Sequence, residues 1–392
     1  MRPTILAFTN WFLPGNKGGG SVSAIVNLIE LLGDEFRFHV ITRDRDLAEK
    51  SAYEGLQMDH WITVGKARVL YTGDLSFANL RRHVLNVDPD VIYLNSFFSP
   101  MTRKILFLRR AGLLKDSAVI LAPQGELSPG SLSLKPLRKW LYRNTAIRAG
   151  ICRGVTWQAS SELESRHITA ATKGEIPAAA QLILTPNAPR PDLLRFPLES
   201  RQPEKRLGKL RLIFLSRIAR TKNLHFALEA VAAARGDIQF EIVGPAEDPK
   251  YWGECQKRAR NLPANIVVRN AGPVGREDVN RALLQHHFLL LPTLGENFGY
   301  VIIEALAVGC PVIISDQTPW RGLRAAGVGW DLPLGRLDLW RNTLQECVDM
   351  HDEEYQRMSR RAREFAENWY GSSLFLRDGT NLFRSALQYA AS

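Results

Sequence analysis

Short β-rich runs alternate with segments of helical spacing along almost the whole chain, and this alternation narrows the choice of folds more than any other feature. The early runs are "TILAFTN", "FRFHVIT", "DVIYLN", "AVILAP" and "VTWQAS". The later ones are "LRLIFLS", "IQFEIVG", "IVVRNAG", "HFLLLPT" and "CPVIISD". Stretches such as "SVSAIVNLIELLG" and "NLHFALEAVAAARG" lie between them, with apolar residues at helical spacing. Several strands are apolar at successive positions, as strands are when helices cover both faces of a parallel sheet. The chain has 392 residues, more than one core usually supports, so two domains are expected. One segment, "PNAPRPDLLRFPLESRQPEKRLGKL", breaks the alternation with proline and charge. The pattern predicts an α/β protein with a first domain over 1–190, a linker over 191–208 and a second domain over 209–372. A last helix over 373–392 is expected to complete the first domain. Two doubly wound domains would open the ends of their sheets onto a cleft.

Composition removes several classes. Hydrophobic residues make up 45% and charged residues 23%, which suits a globular protein. The sequence holds no uninterrupted apolar run of about 18 residues, so no spanning helix is expected. The start, "MRPTILAFTNWFLPGNKGGG", reads as a first strand rather than a signal peptide. Cys152, Cys255, Cys310 and Cys347 are scattered, which fits a reducing, cytoplasmic setting and offers no zinc or disulfide framework. The net charge is +11. Up to Arg190 there are 24 basic and 16 acidic residues; after it, 27 and 24. The excess gathers where Lys135, Arg138, Lys139, Arg143, Arg148 and Arg153 face no acid. That stretch is either a solvated basic helix or a surface for an anionic partner. Leu132, Leu134, Leu137, Trp140, Leu141 and Tyr142 would give it an apolar side, which either packs on the sheet or meets the anionic face of a membrane.

Three places carry residues suited to chemistry. After the first strand, Gly18, Gly19 and Gly20 precede a helix, with Ser21 in position to cap it. The loop is either a flexible turn or a close approach to an anionic ligand at a helix N-terminus. It is neither GxGxxG nor a P-loop. Further on, Arg217 and Lys222 follow the strand "LRLIFLS" and precede a helix, where they could neutralise a diphosphate or simply be surface charges. Finally, in "LGENFGYVIIEALAVGCPVIIS", Glu296 lies just before a helix and Glu304 inside it. Roughly 9–12 Å of helix axis separates them. Asn297, Phe298 and Gly299 would offer backbone amides to phosphate oxygens. Glu296 alone could be a favourable charge at a helix start. Glu304 has only apolar neighbours in sequence, so its burial would cost several kcal/mol unless it is paired or hydrogen-bonded. Polyol hydroxyls, such as those of a ribose, are suitable donors.

The stretch "GENFGYVIIEALAVGCPVIIS", with "SRIARTK" upstream, resembles the Glu-x7-Glu signature of retaining glycosyltransferases of family 4, which have the GT-B fold: two Rossmann-like domains facing each other across a cleft. "ASSELESRHI", "TPNAPR" and "TPWRGLRAAGVGWDLP" extend the resemblance over essentially the whole chain. "APQGELSPGSLSLKPLRKW" looks like the corresponding loop of bacterial members that build surface polysaccharides. The resemblance implies a nucleotide-sugar donor, a saccharide or lipid-linked acceptor, and no metal or other cofactor. By that likeness Arg217 and Lys222 hold the diphosphate, and Glu304 takes the ribose hydroxyls. Glu296 faces the sugar beside the amides of Asn297, Phe298 and Gly299. Gly19 and Gly20 lie near the pyrophosphate and the acceptor. Many relatives carry a histidine in the loop after the fourth strand of the first domain. This chain has Pro123, Gln124, Gly125 and Glu126 there, which puts Gln124 and Glu126 on the acceptor side, and "PNA" replaces the usual "PNG". The resemblance also implies a cytoplasmic enzyme, peripheral at the inner face of the plasma membrane.

Rival readings have less support. A metal-dependent transferase would use Asp-x-Asp at a strand end; Asp44/Asp46 follow a strand but read as a polar loop, and Asp88/Asp90 precede a strand instead. The eight histidines show no ligand spacing, and no Gly-x-Ser-x-Gly elbow occurs. A sugar-nucleotide 2-epimerase shares the fold and would act without an acceptor. A nucleic-acid binder would exploit the charge, yet the chain offers neither a stacking aromatic array nor a recognition helix.

Overall fold

A computed structural model describes residues 2–15, 17–115, 117–134, 136–172, 181–196, 204–372 and 374–391. Lys135 and residues 197–203 of the Pro-rich linker therefore lie outside the described residues. The chain divides into two compact units, Met1–Pro191 with Leu374–Ser392, and Asp192–Ser373. Among the described residues, no helix is long and apolar enough to cross a membrane.

The first unit holds β1 (Thr4–Thr9), β2 (Arg37–Arg43), β3 (Trp61–Val64), β4 (Ala67–Thr72), β5 (Val91–Asn95), β6 (Ala118–Ala122), β7 (Thr156–Ala159) and β8 (Leu182–Leu184). They form one sheet in the order β3-β4-β2-β1-β5-β6-β7-β8. Every pairing is parallel except β3 with β4. The continuous apolar strands have a direct cause. Ile5 and Ala7 of β1 enter a core on one face, while Leu6 and Phe8 enter a second core on the other. Val91 and Tyr93 against Ile92 and Leu94 of β5 repeat the division. The helix Phe375–Ala391 closes the first of these cores with Leu382, Phe383 and Ala386. The Phe383 ring lies 5.1, 5.9 and 5.9 Å from those of Phe36, Phe38 and Tyr93.

The second unit holds β9 (Lys209–Leu215), β10 (Asp237–Val243), β11 (Ile266–Gly272), β12 (Phe288–Leu291), β13 (Val312–Ser315) and β14 (Gly329–Leu332). Their order is β11-β10-β9-β12-β13-β14, all parallel. In each unit the chain runs outward on one side of its first strand and then returns to the other side. The order therefore reverses at β1/β5 and at β9/β12, and ligands of doubly wound sheets bind beyond the strand ends at such reversals.

Two local expectations change. The antiparallel β3–β4 ribbon escapes the strand–helix pattern, because a two-residue turn at Gly65 and Lys66 joins the paired Val64 and Ala67. Ser21 does not cap its helix. The helix is Gly20–Leu32, its N-cap is Gly19, and the Ser21 hydroxyl instead donates to the Gly18 carbonyl at 3.0 Å. Gly19 has φ 59° and ψ −136°, a conformation that only glycine adopts without strain.

Candidate active site

The residues singled out in the second unit sit at the β9/β12 reversal. Beyond β9 come Arg217, a 3-10 turn Arg220–Lys222, and then the helix Leu224–Val231. Beyond β12 come Thr293 to Gly299 and the helix Tyr300–Ala307. The two loops are tied together. Leu294 N donates to the Thr221 carbonyl at 2.8 Å, and Thr293 Oγ1 donates to the same oxygen at 3.1 Å. Lys222 Nζ then meets Glu296 Oε1 at 2.5 Å, with side chains only 13% and 11% exposed. Arg217 Nη1 pairs with Glu247, which follows β10. Both cations therefore have carboxylate counter-ions at the strand ends, an arrangement able to take up and release an anionic ligand.

The loop carrying Asn297, Phe298 and Gly299 is held from several sides. Glu296 N donates to the Gln317 carbonyl at 3.0 Å, and Trp320 Nε1 donates to the Phe298 carbonyl at 2.5 Å. The Phe298 ring packs against those of Tyr300, Trp320 and Trp369 at 4.7, 5.5 and 5.8 Å. Gly299 has φ 78°, and a Cβ there would lie 2.7 Å from Ile302 Cδ1. Helix entry at this point requires glycine on both counts.

Glu304 corrects an expectation. Apolar neighbours in sequence suggest a carboxylate enclosed by the core. Six of the eight helix residues are buried, but Val301 and Glu304 are not. They stand at i and i+3, on one line of the helix. Glu304 is therefore half-buried on the less covered line of the helix, and the cost of full burial does not arise.

In the first unit, Gly19 and Gly20 follow β1, while Gln124 and Glu126 follow β6. Glu126 is occupied by the neighbouring loop. Its Oε1 accepts from Ser96 Oγ at 2.8 Å, and its Oε2 accepts from the Phe97 and Phe98 amides at 2.7 and 2.9 Å. Burial pushes its carboxyl above the usual carboxylate range, against the pull of these donors. Gln124 sits at φ 52°, and its Oε1 accepts from Asn187 Nδ2 at 3.2 Å. Lys17, before the glycines, pairs with Glu49.

Sequence reasoning missed Glu164, Glu247 and Trp320. Glu164 accepts from Gly125 N at 2.5 Å and from Ser160 N and Oγ at 2.8 Å each. A signal for it existed in "SELE", a Ser-x-x-Glu helix start, and Ser161 does cap that helix. The Asp-x-Asp spacings read as structural here. Asp44 is bridged by Arg45 at 2.7 and 2.9 Å, and Asp46 accepts from the Lys17 and Leu47 amides. Asp88 pairs with Lys115, and Asp90 accepts from Thr4 N. Among the described residues, no three His, Cys, Asp or Glu residues cluster as metal ligands.

The glycosyl transferases group 1 family matches residues 196–365. The second unit is a glycosyl transferases group 1 domain. The match includes Arg217, Lys222, Glu296 and Glu304 and leaves Gly19, Gly20, Gln124 and Glu126 outside it. Over 136 residues the chain is 32% identical to phosphatidyl-myo-inositol mannosyltransferase of Mycobacterium leprae, covering 33% of this chain and 34% of that protein. The curated relatives are matched over only about a quarter to a third of their length. Solved structures extend the likeness in fold over the whole chain. Anabaena Alr3699/HepE, in complex with UDP and glucose, is 16% identical with a TM-score of 0.66, covering 99% of each chain. WaaG, a glycosyltransferase involved in lipopolysaccharide biosynthesis, is 14% identical with a TM-score of 0.67, covering 98% of each. The glycosyl transferases group 1 domain and the eight-stranded unit together have the GT-B fold.

Proposed function

We propose that the protein is a retaining glycosyltransferase. It moves a hexose-type sugar from a nucleotide-sugar donor to a saccharide or lipid-linked saccharide in bacterial cell-surface polysaccharide synthesis, at the cytoplasmic side. The observation that carries this reading is the largely buried Lys222–Glu296 pair at the β9/β12 reversal, with the half-buried Glu304 on the less covered line of the following helix. A donor diphosphate would take over Lys222 and Arg217 from their carboxylates. Glu304 would accept from the ribose hydroxyls and Glu296 from those of the sugar. The loop clasped by Trp320 would turn its backbone amides toward phosphate. As the sugar C1–O bond to phosphate breaks, the acceptor oxygen bonds C1 on the same face and its proton passes to the departing phosphate. Charge grows on that phosphate, so the two cations and the amides stabilise the transition state more than the ground state. The complex of HepE with UDP and glucose and the pathway of WaaG support the donor and pathway assignments by likeness. Lys222→Ala and Glu304→Ala should each abolish donor-dependent release of nucleoside diphosphate while circular dichroism stays unchanged. Full activity in either variant would sink the assignment, as would a product isomeric with the donor formed without any acceptor.

A further inference from the structure

Arg363 gathers backbone oxygens from two places far apart in the chain. It lies on the helix Asp352–Ser372, and its side chain is only 14% exposed. Its Nη1 donates at 2.6 Å to the carbonyl of Ala307, the last residue of the helix Tyr300–Ala307. The same nitrogen donates to the Phe196 carbonyl at 2.7 Å, and Nη2 donates to the Leu194 carbonyl at 3.0 Å. Nε meets Glu367 Oε1 at 2.6 Å. A guanidinium holds its donors in one rigid fork, so the three carbonyls share a single support. Leu194 and Phe196 stand at the start of the second unit, just after the chain leaves the first at Pro191. A helix commonly satisfies its last carbonyls with water or a local cap. Here the cation that serves the end of one helix also serves the linker.

The start of the helix Tyr300–Ala307 is fastened to the same long helix. Phe298, just before it, has its ring 5.8 Å from that of Trp369. Trp320, which donates to the Phe298 carbonyl, lies 5.1 Å from Trp369. Just past the short helix, the buried Ser359 donates through Oγ to the Gly309 carbonyl at 2.7 Å. An eight-residue helix held at both ends by a longer one moves with it, because close-packed interiors transmit displacement rather than absorb it. The loop at its start carries the amides of Asn297, Phe298 and Gly299. Its far end meets the guanidinium that holds residues 194 and 196. We propose that Arg363 is a positioning residue that couples the two, so that a ligand clamping the start of the helix Tyr300–Ala307 also holds residues 194–196 in place. By linkage, release of those residues weakens the ligand in the same measure. The ligand half of this inference rests on the donor reading above; the mechanical half does not.

Trypsin reads this coupling directly. Arg195 is exposed and stands between the two held carbonyls. A protease needs an extended segment, so cutting after Arg195 requires Leu194 and Phe196 to leave Arg363 first. The rate of cutting at the 195–196 bond, followed by mass spectrometry on the full chain, therefore measures that opening. Arg363→Lys keeps the charge and loses the fork, and each charge-assisted bond lost should speed cutting about tenfold or more. Phe298→Leu loosens the other end of the short helix. It should speed cutting in the wild-type background and add nothing to Arg363→Lys. A nucleoside diphosphate shown by calorimetry to bind, at about 100 times its Kd, should slow cutting of the wild type by up to about 100-fold. The same ligand should bind Arg363→Lys without protecting it. Equal rates for wild type and Arg363→Lys would overturn the proposal, as would ligand protection that is the same in both. No acceleration by Phe298→Leu would overturn it as well, and that comparison needs no change at Arg363. If no nucleoside diphosphate binds, the donor reading fails, and the two ligand-free comparisons still decide the coupling.

Discussion

Lys222 and Glu296 form the pair whose disruption is most informative, because two effects can be read separately. Both side chains are nearly nine-tenths buried. Removing one partner of a fully buried pair costs about 3–5 kcal/mol. The residual exposure lowers that to about 2–4 kcal/mol here, so Lys222→Met and Glu296→Gln should each shift the denaturation midpoint visibly. Ligand binding should move in opposite directions. A diphosphate seated on the Lys222 ammonium would lie about 5 Å from the Glu296 carboxylate. Coulomb's law at an effective dielectric near 20 gives about 3 kcal/mol of repulsion between them. Hydration of the phosphate leaves about half of that, so Glu296→Gln should tighten a nucleoside diphosphate about tenfold. Lys222→Met should weaken the same ligand by at least that factor. The assay is calorimetric titration with the nucleoside diphosphate selected by a thermal-shift panel. A ligand without its sugar isolates this electrostatic effect from the contacts expected between Glu296 and the hexose. Weaker or unchanged binding by Glu296→Gln would refute the reasoning, because a carboxylate that merely braces the loop repels nothing.

Two further predictions concern the first unit and pH. Glu126→Gln should keep the fold, since one amide oxygen can still accept from Phe97 and Phe98, whereas Glu126→Ala should cost about 2–3 kcal/mol by leaving those amides unpaired; equal loss from both, by chemical denaturation, would contradict the bracket role. His39, His83, His167 and His225 all have pKa values depressed chiefly by burial. Below about 6.5 the unfolded chain then binds more protons than the native one, so stability is complete above that pH and is lost as pH falls through the native values. The melting temperature should therefore drop between pH 7.5 and 5.5, and a flat profile would count against these burials.

The sequence is legible where a physical rule repeats along the chain. Ile5 and Ala7 fill one core and Leu6 and Phe8 the other, so β1 shows its burial on both faces in six letters. The β3–β4 ribbon was harder to see, since edge strands joined by two residues need no covering helix. Glu304 misleads because its neighbours in "YVIIEALA" are apolar, and one-dimensional spacing does not reveal that a single line of the helix is only half-buried. Arg217 and Lys222 were visible as cations after a strand. Their counter-ions lie 30 and 74 residues further on, and no local period connects them. The Trp320–Phe298 bond is of the same kind: it spans 22 residues and two strand-end loops.

Carboxylates at strand ends serve two purposes in this chain, and their partners tell them apart. Glu126 and Glu164 accept from backbone amides and serine hydroxyls, and so join the loops after β5, β6 and β7 into one frame. Glu247 and Glu296 face cations instead. A phosphate can take over such a cation, but it is then repelled by the carboxylate it displaces, so neutralising that carboxylate favours the phosphate. Neutral isosteres should therefore act differently in the two units. Amide for carboxylate should preserve the frame around Gln124 and leave ligand affinity alone, while the same change at Glu247 or Glu296 should alter how tightly the site holds an anion.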